Sequence, residues 1–403
     1  MRLCWIIADL GNYHAARMRA LQSSLQHDLK VIELKCRSEY PEFAAARDAV
    51  RALHCRTLFA PDAGAISFGR LRGMLYRALD DARPDALFVN GWSQSSAILA
   101  MAWSMSHQVP FVIASESTAA DQTRVAWREG VKCLLVRRAG AAFVGGRRSA
   151  QYLRTLGLPE ASIFQGYDAV DNEHFAAGAE AARRAAAQVR SALNLPGRYL
   201  LCVARLIPRK GFAMLLEAFA RYRAGTTTAG LDLLFVGDGS DRPRLMQLAA
   251  ALGIDAGVHF HGFQGYDRLP SYYGLAEALI VPSRSEPWGL VVNEAMASAL
   301  PVLVSSACGC TDDLVRHGHN GFVIDPTNVK ELTELVRFID AQPQRVRQLG
   351  RNAHADIGAW GLDHFAAQCW GAAKAAVATG PSRPFALEVF SLESFARTRP
   401  GLL

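Results

Sequence analysis

The sequence predicts an α/β protein with two parallel sheets, one after the other along the chain. Short apolar runs alternate with longer amphipathic ones almost throughout the 403 residues, and this alternation is typical of parallel strands joined by helices. The alternation breaks once, near residues 170–197, and then starts again. At roughly 150 residues per domain, the length also suggests two or three domains.

The first half contains five predicted strands with helices between them. The predicted strands are Leu3–Ala8, Lys30–Leu34, Ala86–Val89, Phe111–Ala114 and Ala141–Val144. The predicted helices are Ala15–Gln26, Gly69–Asp81, Ser95–Ser106, Thr123–Arg138 and Arg148–Leu156.

The second half repeats the pattern after an Ala- and Arg-rich predicted helix, Ala176–Val189, which is followed by a Pro-Gly turn signal at residues 196–197. Its predicted strands are Tyr199–Ala204, Leu231–Val236, Val258–Phe260, Ala278–Val281, Pro301–Ser305 and Gly321–Ile324. Its predicted helices are Phe212–Ala224, Arg242–Leu252, Leu290–Ala299 and Val329–Ile339.

The end of the chain is predicted to leave this pattern. A helix around His364–Val377 could return toward the first domain, and the segment from Gly380 onward, with three prolines, looks irregular. We therefore place a first domain at residues 1–178, a second at 179–375 and an irregular tail at 376–403.

The net charge of +7 is spread along the chain, with +3 on residues 1–180 and +4 on residues 181–403. A nucleic-acid-binding protein more often concentrates its basic residues in a stripe with aromatic side chains between them, so we expect no nucleic-acid partner. A diffuse positive excess fits a protein that handles acidic small molecules or one that touches an anionic membrane surface. Composition does not choose between these two.

The apolar runs and the cysteines indicate a protein of a reducing compartment. No apolar run approaches the roughly 20 residues of a membrane-spanning helix, and the first residues resemble a strand more than a signal peptide, since Asp9 ends the apolar stretch. Most of the eight cysteines lie inside apolar runs, as buried thiols do. Cys308 and Cys310 form the one close pair, but their spacing is not that of a zinc site. We expect a cytoplasmic protein.

The most informative segment runs from Pro282 to Ala297 and carries two carboxylates. A predicted strand ends at Val281, a loop presents Glu286, and a predicted helix begins after Gly289 with Glu294 in its second turn. The amide groups at such a helix start favour an anion such as a phosphate, whereas the carboxylates would hold neutral hydroxyl groups on either side. The alternative is a solvated loop carboxylate at Glu286 and an ordinary helix-face residue at Glu294. Because the helix is otherwise almost wholly apolar, we favour a functional role for Glu294.

A second segment presents two cations after the strand at Tyr199–Ala204. Arg205 and Lys210 precede Gly211, which leads into the next predicted helix. A guanidinium and an ammonium on one loop can grip both phosphates of a diphosphate. The alternative is a solvated basic loop.

Other loops at predicted strand ends carry weaker signals. Gly237 belongs to a Gly-Asp-Gly turn that could give a nucleotide access to the backbone, although the full dinucleotide fingerprint is absent. Phe263 could pack against a base or be ordinary packing. In the first half, Gly11 and His14 follow the first strand, and His14 is either a base or merely a helix-start residue. Glu116 follows another strand end and either faces a ligand or caps the next helix.

These motifs resemble glycosyltransferase family 4, a family of retaining nucleotide-sugar glycosyltransferases with the GT-B fold. The resemblance is carried by Ala204-Arg205 with Lys210-Gly211, by Val236-Gly-Asp-Gly239, and by Pro282 to Met296 with Glu286 and Glu294 in the family's E-x7-E spacing. Ala299-Leu-Pro-Val302 and Gly318-His-Asn-Gly321-Phe322 complete the set. The similarity covers about Tyr199 to Pro326, and the first half is similar mainly in strand order.

The resemblance implies two Rossmann-like domains facing a central cleft, with the donor held mostly by the second domain. Arg205 and Lys210 would hold and neutralise the diphosphate, Glu294 would bind the ribose and Glu286 the donor sugar. Gly289, Leu290 and Val291 would seat the sugar and phosphates through backbone groups. No metal or other cofactor would be needed, because the cations and the helix dipole replace it.

The implied reaction is transfer of a sugar from a nucleotide-diphosphate donor to a glycan, lipid-linked or small-molecule acceptor, with retention of configuration. A sugar-nucleotide epimerase of the same fold and a non-catalytic sugar-nucleotide-binding protein are the alternatives. Two departures from the family pattern stand out: Ser115-Glu116 replaces a frequent histidine, and Gly11-Asn12 replaces a frequent double glycine. The donor or acceptor contacts of this chain therefore differ from those of many members.

The segment Trp127–Arg138 has apolar and basic residues at helical spacing. Such a helix could rest on an anionic membrane that carries a lipid acceptor, or it could be an ordinary helix that covers the sheet.

Overall fold

The computed structural model describes residues 1–25, 28–35, 55–60, 62–121, 123–226, 230–381 and 386–397, and the chain divides into two units. The first unit combines Met1–Ala169 with the described residues from Leu362 onward, and the second is Val170–Gly361. This division lies at 169/170 and 361/362, nine and fourteen residues before the boundaries predicted at 178/179 and 375/376. The chain enters the second unit before the Ala-rich helix and leaves it before the helix at Leu362.

The first unit is built on a seven-stranded sheet in the order β3-β2-β1-β4-β5-β6-β7, with all neighbours parallel. The strands are β1 (Leu3–Ile7), β2 (Leu29–Lys35), β3 (Cys55–Phe59), β4 (Ala86–Asn90), β5 (Phe111–Ser115), β6 (Ala141–Val144) and β7 (Ile163–Gln165). The helices before residue 170 are α1 (Asn12–Leu25), α2 (Phe68–Ala82), α3 (Ser95–Ser106), α4 (Ala126–Val136) and α5 (Arg147–Thr155). The five predicted strands and five predicted helices are confirmed within a few residues, except that Gln26 lies outside the described residues.

The two strands that the sequence did not predict, β3 and β7, form the edges of this sheet. β3 has exposed Arg56 and Thr57 in its middle, and β7 is only three half-buried residues long. A strand that is covered on both faces gives a continuous apolar run, whereas a short edge strand does not. The sequence pattern of β3 and β7 is therefore weak because both strands lie at an edge of the sheet.

The second unit contains a six-stranded parallel sheet in the order β10-β9-β8-β11-β12-β13. The strands are β8 (Tyr199–Val203), β9 (Asp232–Val236), β10 (Val258–Phe260), β11 (Ala278–Val281), β12 (Val302–Ser305) and β13 (Gly321–Ile324). The helices are α6 (Asn172–Arg184), α7 (Ala186–Leu193), α8 (Phe212–Ala224), α9 (Arg242–Ala251), α10 (Leu269–Leu275), α11 (Leu290–Ala297), α12 (Thr311–Leu314), α13 (Val329–Ala341) and α14 (Pro343–Ile357).

All six strands predicted in this half are confirmed, but three helices were missed. α10, α12 and α14 were not predicted, and the single helix predicted at Ala176–Val189 is two helices, because the backbone of Ala185 leaves the helical region at φ −108° and ψ 31°. α10 is almost wholly buried and α12 is only four residues long. Neither shows the half-apolar periodicity by which a surface helix is recognised.

The chain then returns to the first unit with α15 (Leu362–Thr379). Its apolar side, with Phe365, Cys369, Ala372 and Ala376, joins the core formed by β1, β4, β5 and β6. At Gly140 a side chain would lie 2.8 Å from the Ala376 backbone, so the glycine permits this close approach. The predicted return of the helix at His364–Val377 is confirmed.

The segment after Gly380 is not irregular as predicted, because α16 (Ala386–Arg397) is helical. Val389, Leu392 and Ala396 pack against the core below α2 and α3. Ser95 Oγ donates to the Ala396 carbonyl at 2.8 Å. The prolines that suggested irregular structure lie outside this helix, and the apolar i, i+3, i+7 spacing within it outweighs them. Among the residues described, no helix is both long and apolar enough to cross a membrane.

Candidate functional site

The second sheet has its topological switch point between β8 and β11. From β8 the chain builds outward through β9 and β10, and it then returns to place β11 on the other side of β8. The loops after β8 and β11 therefore diverge to opposite faces, which leaves a crevice at the carboxyl ends of these two strands. The Arg205–Lys210 loop follows β8 and the Glu286 loop follows β11. Strand order thus brings together two motifs that are about eighty residues apart in the sequence.

Lys210 and Glu286 form an ion pair at this edge. The Lys210 Nζ donates to Glu286 Oε2, and the two side chains are 12% and 13% exposed. At this depth the two charges are partly shielded from water, which strengthens their attraction. A small ligand can still reach the pair. The structure therefore joins the cation predicted for the diphosphate with the carboxylate predicted for the sugar.

The two loops are fixed to each other by their backbones. The Arg284 amide donates to the Arg209 carbonyl at 2.8 Å. Gly211 has φ of +74°, and a Cβ there would lie 2.1 Å from the Pro282 carbonyl oxygen. Since only glycine combines this conformation with this approach, Gly211 holds the position of Lys210 against the Glu286 loop.

Arg205 is exposed on the same loop. Its side chain has no hydrogen bond or ion pair to any of the residues that the structure describes. This cation therefore remains available to an anionic ligand, whereas Lys210 is already engaged.

The start of α11 lies directly beyond the Glu286 loop. Gly289 precedes the helix with φ of +103° and, as a glycine, provides no side-chain cap to the first turn. Gly289, Leu290 and Val291 are half-buried, so their amide groups lie near the surface. The positive end of the helix dipole and these amides form the kind of place where an anion binds.

A third loop, after β12, supports Glu286 from behind. The Gly309 amide donates to the Glu286 carbonyl at 2.9 Å, and a Cβ on Gly309 would lie 1.7 Å from the Pro287 carbonyl oxygen. The carboxylate is thus presented by a backbone that has little freedom to move. Sequence reasoning did not assign a role to Gly309.

Glu294 is fully buried on α11, and its Oε2 accepts a hydrogen bond from the Tyr273 hydroxyl at 2.6 Å. The expectation that Glu294 lies on a buried helix is confirmed. A ribose could contact this carboxylate only if neighbouring side chains moved, so ribose binding stays a prediction. Tyr273 was not found from the sequence, because its place beside Glu294 depends on how α10 packs.

The weaker candidates of this unit differ in exposure. Gly237 is buried at φ of +128°, where a Cβ would lie 2.0 Å from the Ala204 carbonyl oxygen, and its amide donates to Gly262 at 2.7 Å. The close approach of the loops after β8 and β9 explains why a glycine stands at this position. Phe263 is 55% exposed, so its ring is not part of the core, and packing at the edge of the unit stays an alternative. Its contact with a base stays a prediction.

In the first unit, Gly11 and His14 lie where the sequence placed them, after β1. The Gly11 carbonyl accepts from the Ala15 amide at 3.0 Å, and His14 is the third residue of α1. The His14 Nδ1 is buried without a hydrogen-bond partner among the described residues. Burial, together with the nearby Arg17 charge, lowers the pKa of His14 to about 3, so its ring is neutral at physiological pH.

Glu116 lies beside a buried acid–base cluster that the sequence did not reveal. Its charge acts on Asp168, which is fully buried, and Asp168 Oδ1 lies 3.6 Å from the Arg17 guanidinium. Burial and the Glu116 charge raise the pKa of the Asp168 carboxyl well above its usual range. The alternative of a helix cap at Glu116 is wrong, because α4 begins only at Ala126. Arg17 and Asp168 were missed because no local motif marks them.

The close cysteine pair is enclosed in the second unit. Cys308 and Cys310 are both fully buried, and burial raises the pKa of the Cys310 thiol well above its usual range. A thiol in this state is a poor metal ligand, since metals bind the thiolate. Within the described ranges, no group of three or more His, Cys, Asp or Glu side chains could hold a metal ion.

Comparison with known proteins identifies the family of this chain. The model for group 1 glycosyl transferases matches residues 184–356, and that for the glycosyl transferase 4-like domain matches residues 11–165. The chain is 32% identical over 175 residues to alpha-D-kanosaminyltransferase of Streptomyces kanamyceticus, which is 43% of this chain and 44% of that protein. It is 29% identical over 230 residues to the GDP-mannose-dependent alpha-(1-6)-phosphatidylinositol monomannoside mannosyltransferase of Mycolicibacterium smegmatis, 55% of this chain and 57% of that protein. The matched region thus spans about half the length of these relatives.

Solved structures resemble the fold over most of the chain. Anabaena HepE in complex with UDP and glucose superposes with a TM-score of 0.72 at 19% identity, covering 92% of this chain and 98% of that chain. Sucrose-phosphate synthase from Thermosynechococcus elongatus gives a TM-score of 0.69 at 20% identity, covering 92% and 97%. The two successive parallel sheets, the motifs on the β8 and β11 loops and the two matching family models together place this chain in glycosyltransferase family 4, with the GT-B fold.

Proposed function

We propose that this protein transfers a sugar from a nucleotide-diphosphate donor to an acceptor hydroxyl, in the synthesis of a polysaccharide or glycoconjugate. The observation that carries the proposal is the meeting of Lys210 and Glu286 at the switch point of the second sheet. A cation for the phosphates and a carboxylate for the sugar hydroxyls are the two groups that a sugar nucleotide requires at the junction of its two parts.

Donor binding exchanges the partners of this pair. Lys210 turns from Glu286 to the diphosphate, Arg205 joins it from the same loop, and Glu286 becomes free to accept hydrogen bonds from the sugar. The amides of Gly289, Leu290 and Val291 hold the phosphate and sugar from the start of α11. When Lys210 binds the diphosphate it frees Glu286 for the sugar, and when Glu286 binds the sugar it frees Lys210 for the diphosphate.

In the transfer step, the acceptor oxygen forms a bond to the anomeric carbon while the bond from that carbon to the phosphate oxygen breaks. The electron pair leaves with the nucleotide diphosphate, and the leaving phosphate oxygen takes the acceptor proton. Attack on the same face retains the anomeric configuration. Arg205 and Lys210 stabilise the negative charge that develops on the leaving group, the role that a metal ion plays elsewhere, so we propose that no metal is needed.

The similar proteins support a sugar-nucleotide donor without fixing its identity. One similar structure holds UDP and glucose, whereas one relative is named as GDP-mannose-dependent. The acceptor class is equally open between a glycan, a lipid-linked sugar and a small molecule, and we propose no nucleic-acid partner. Glu116, in place of the family's frequent histidine, is the candidate first-unit contact.

The first experiment is a donor screen by thermal shift with UDP, GDP and ADP. One diphosphate is expected to raise the melting temperature, because a ligand that binds only the folded state stabilises it. Lys210→Ala should abolish this shift, and Lys330→Ala, which removes an exposed lysine of the same unit, should leave it intact. Failure of all three nucleotides to shift the wild-type protein would contradict the proposal.

The second experiment measures transfer with the donor so identified. Glu286→Ala should abolish transfer in a folded protein, whereas Glu334→Ala, at an exposed glutamate of α13, should not affect it. NMR of the product shows whether the anomeric configuration is retained. Transfer measured in the presence of EDTA tests whether a metal ion is needed. Full transfer by Glu286→Ala would remove the role given to Glu286, and release of epimerised sugar nucleotide without an acceptor would favour an epimerase.

A further inference from the structure

We propose that one face of α4, together with the cavity beside it, is a docking surface for a bilayer containing anionic phospholipid. The inference rests on the exposure, spacing and charge of α4 and does not depend on the proposed transfer reaction. We call the three residues Trp127, Val131 and Leu134 the α4 stripe.

The α4 stripe is a continuous apolar face. Its residues are spaced i, i+4 and i+7, which places them on one side of a helix. Trp127 is 61% exposed and Leu134 is 68% exposed. Of the seven large hydrophobic side chains that are exposed in the described chain, three lie within residues 125–134. Scattered exposed apolar residues are ordinary, but a cluster of this kind marks a contact surface.

Hydrogen bonds on the opposite side of α4 fix the orientation of the helix. The α4 stripe therefore faces outward. The Tyr152 hydroxyl of α5 donates to Glu129 at 2.7 Å, and Lys132 Nζ donates to Glu129 at 2.7 Å. Arg124 donates to the same tyrosine hydroxyl at 2.8 Å. A rotation that buried Trp127 and Leu134 would break this network.

A cavity of about 340 Å³ opens beside the stripe. Its apolar walls come from three helices and consist of Met105, Val131, Leu134, Leu135, Leu392 and Phe395. A volume of this size accommodates a segment of a hydrocarbon chain. Arg138, one turn beyond Leu134, also lines the cavity and adds a cation to its mostly apolar lining.

The charges beside the stripe select an anionic surface as the occupant. Residues 124–138 contain five basic side chains and one acidic side chain, and the acid, Glu129, is engaged by Lys132 and Arg124 on the anchored side. Arg128 is exposed, and its guanidinium lies 5.3 Å from the Trp127 ring centre. Tryptophan beside arginine is the pairing that lies at the headgroup level of a bilayer, and each basic residue near an anionic leaflet adds to the attraction.

The experiment is co-sedimentation of the whole protein with vesicles of phosphatidylcholine alone and of equal parts phosphatidylcholine and phosphatidylglycerol. We expect binding to the mixed vesicles, weakened by added salt because the attraction is partly electrostatic. Trp127→Ser with Leu134→Ser should weaken this binding by about tenfold or more, given the apolar area that it removes from the bilayer. Arg128→Gln should weaken it by about fivefold.

The matched control is Met246→Ser with Leu252→Ser, which removes two exposed apolar side chains in the other unit, one within α9 and one just after it. It should bind vesicles as the wild-type protein does. Equal loss in both double variants, equal binding to both vesicle types or no vesicle binding at all would each overturn the proposal. Concentration-dependent dimerisation that Leu134→Ser abolishes, in a protein that ignores vesicles, would assign the surface to a second copy of the chain and would overturn it as well.

Discussion

Each unit has a cation paired with a carboxylate near the carboxyl edge of its sheet, and the two pairs differ in burial. In the first unit, Arg17 is 2% exposed and Asp168 is fully buried. In the second, Lys210 and Glu286 are 12% and 13% exposed. A ligand cannot replace a fully buried partner without first opening the core, whereas it can compete for a pair at the surface of a crevice. The Arg17–Asp168 pair therefore stabilises the folded state, and the Lys210–Glu286 pair is suited to exchange partners with a substrate.

The sharpest test of this comparison removes one carboxylate from the buried pair. Asp168→Ala should lower the free energy of unfolding by about 3 kcal/mol or more. Arg17 cannot lose its charge, and the substitution leaves this charge buried without its acidic partner. Lys210→Met, at the accessible pair, should cost less than about 1 kcal/mol. Chemical denaturation followed by circular dichroism measures both, and equal losses would remove the distinction between the pairs.

The reverse test uses activity. Lys210→Ala should lower the rate of transfer by about 10²- to 10³-fold, as the loss of one group that stabilises developing negative charge commonly does, while the protein stays folded. Kinetics with saturating donor separate this effect from weaker binding. Arg205→Ala is the companion variant, because Arg205 lies on the same loop and has no ion-pair partner within the described ranges of the chain. A Lys210→Ala enzyme with normal turnover would show that the pair is not part of the reaction.

The first unit should also respond to acid through His14. Its folded-state pKa of about 3 lies below the unfolded value of 6.5, so the unfolded chain binds the proton more strongly and stability falls as the pH decreases from about 6.5 toward 3. Between pH 7 and pH 5 this loss amounts to about 2 kcal/mol. His14→Gln should reduce the difference between denaturation curves at the two pH values. An unchanged difference would mean that His14 is solvated and free to titrate.

The last test concerns Glu294, the buried carboxylate of α11. Tyr273→Phe removes the hydroxyl that donates to the buried carboxylate and should cost about 1 to 3 kcal/mol of stability, with the upper end expected if the carboxylate stays ionised. If Glu294 also binds the donor ribose, the same variant should change the affinity for the nucleoside diphosphate, measured by calorimetry. An unchanged affinity, with lower stability, would make Glu294 a structural residue and leave Lys210 and Glu286 as the accessible part of the site.

The fold followed from the sequence where strands are buried on both faces. All six strands of the second sheet and the five central ones of the first were predicted, because such strands are continuous apolar runs. The edge strands β3 and β7 and the buried helix α10 were not, since neither kind of element has a distinctive periodicity. The terminal helix α16 was obscured by prolines on either side of it.

The sequence by itself determined the chemistry of the candidate site, because Arg205, Lys210, Gly289 and Glu286 stand in short motifs directly after predicted strands. Only the tertiary structure decided how these groups meet. The strand order that places β8 beside β11 brings Lys210 to Glu286, and the end of β7 brings Asp168 to Arg17. Burial, which separates a structural pair from an accessible one, is a property of packing between distant segments, and local sequence does not encode it.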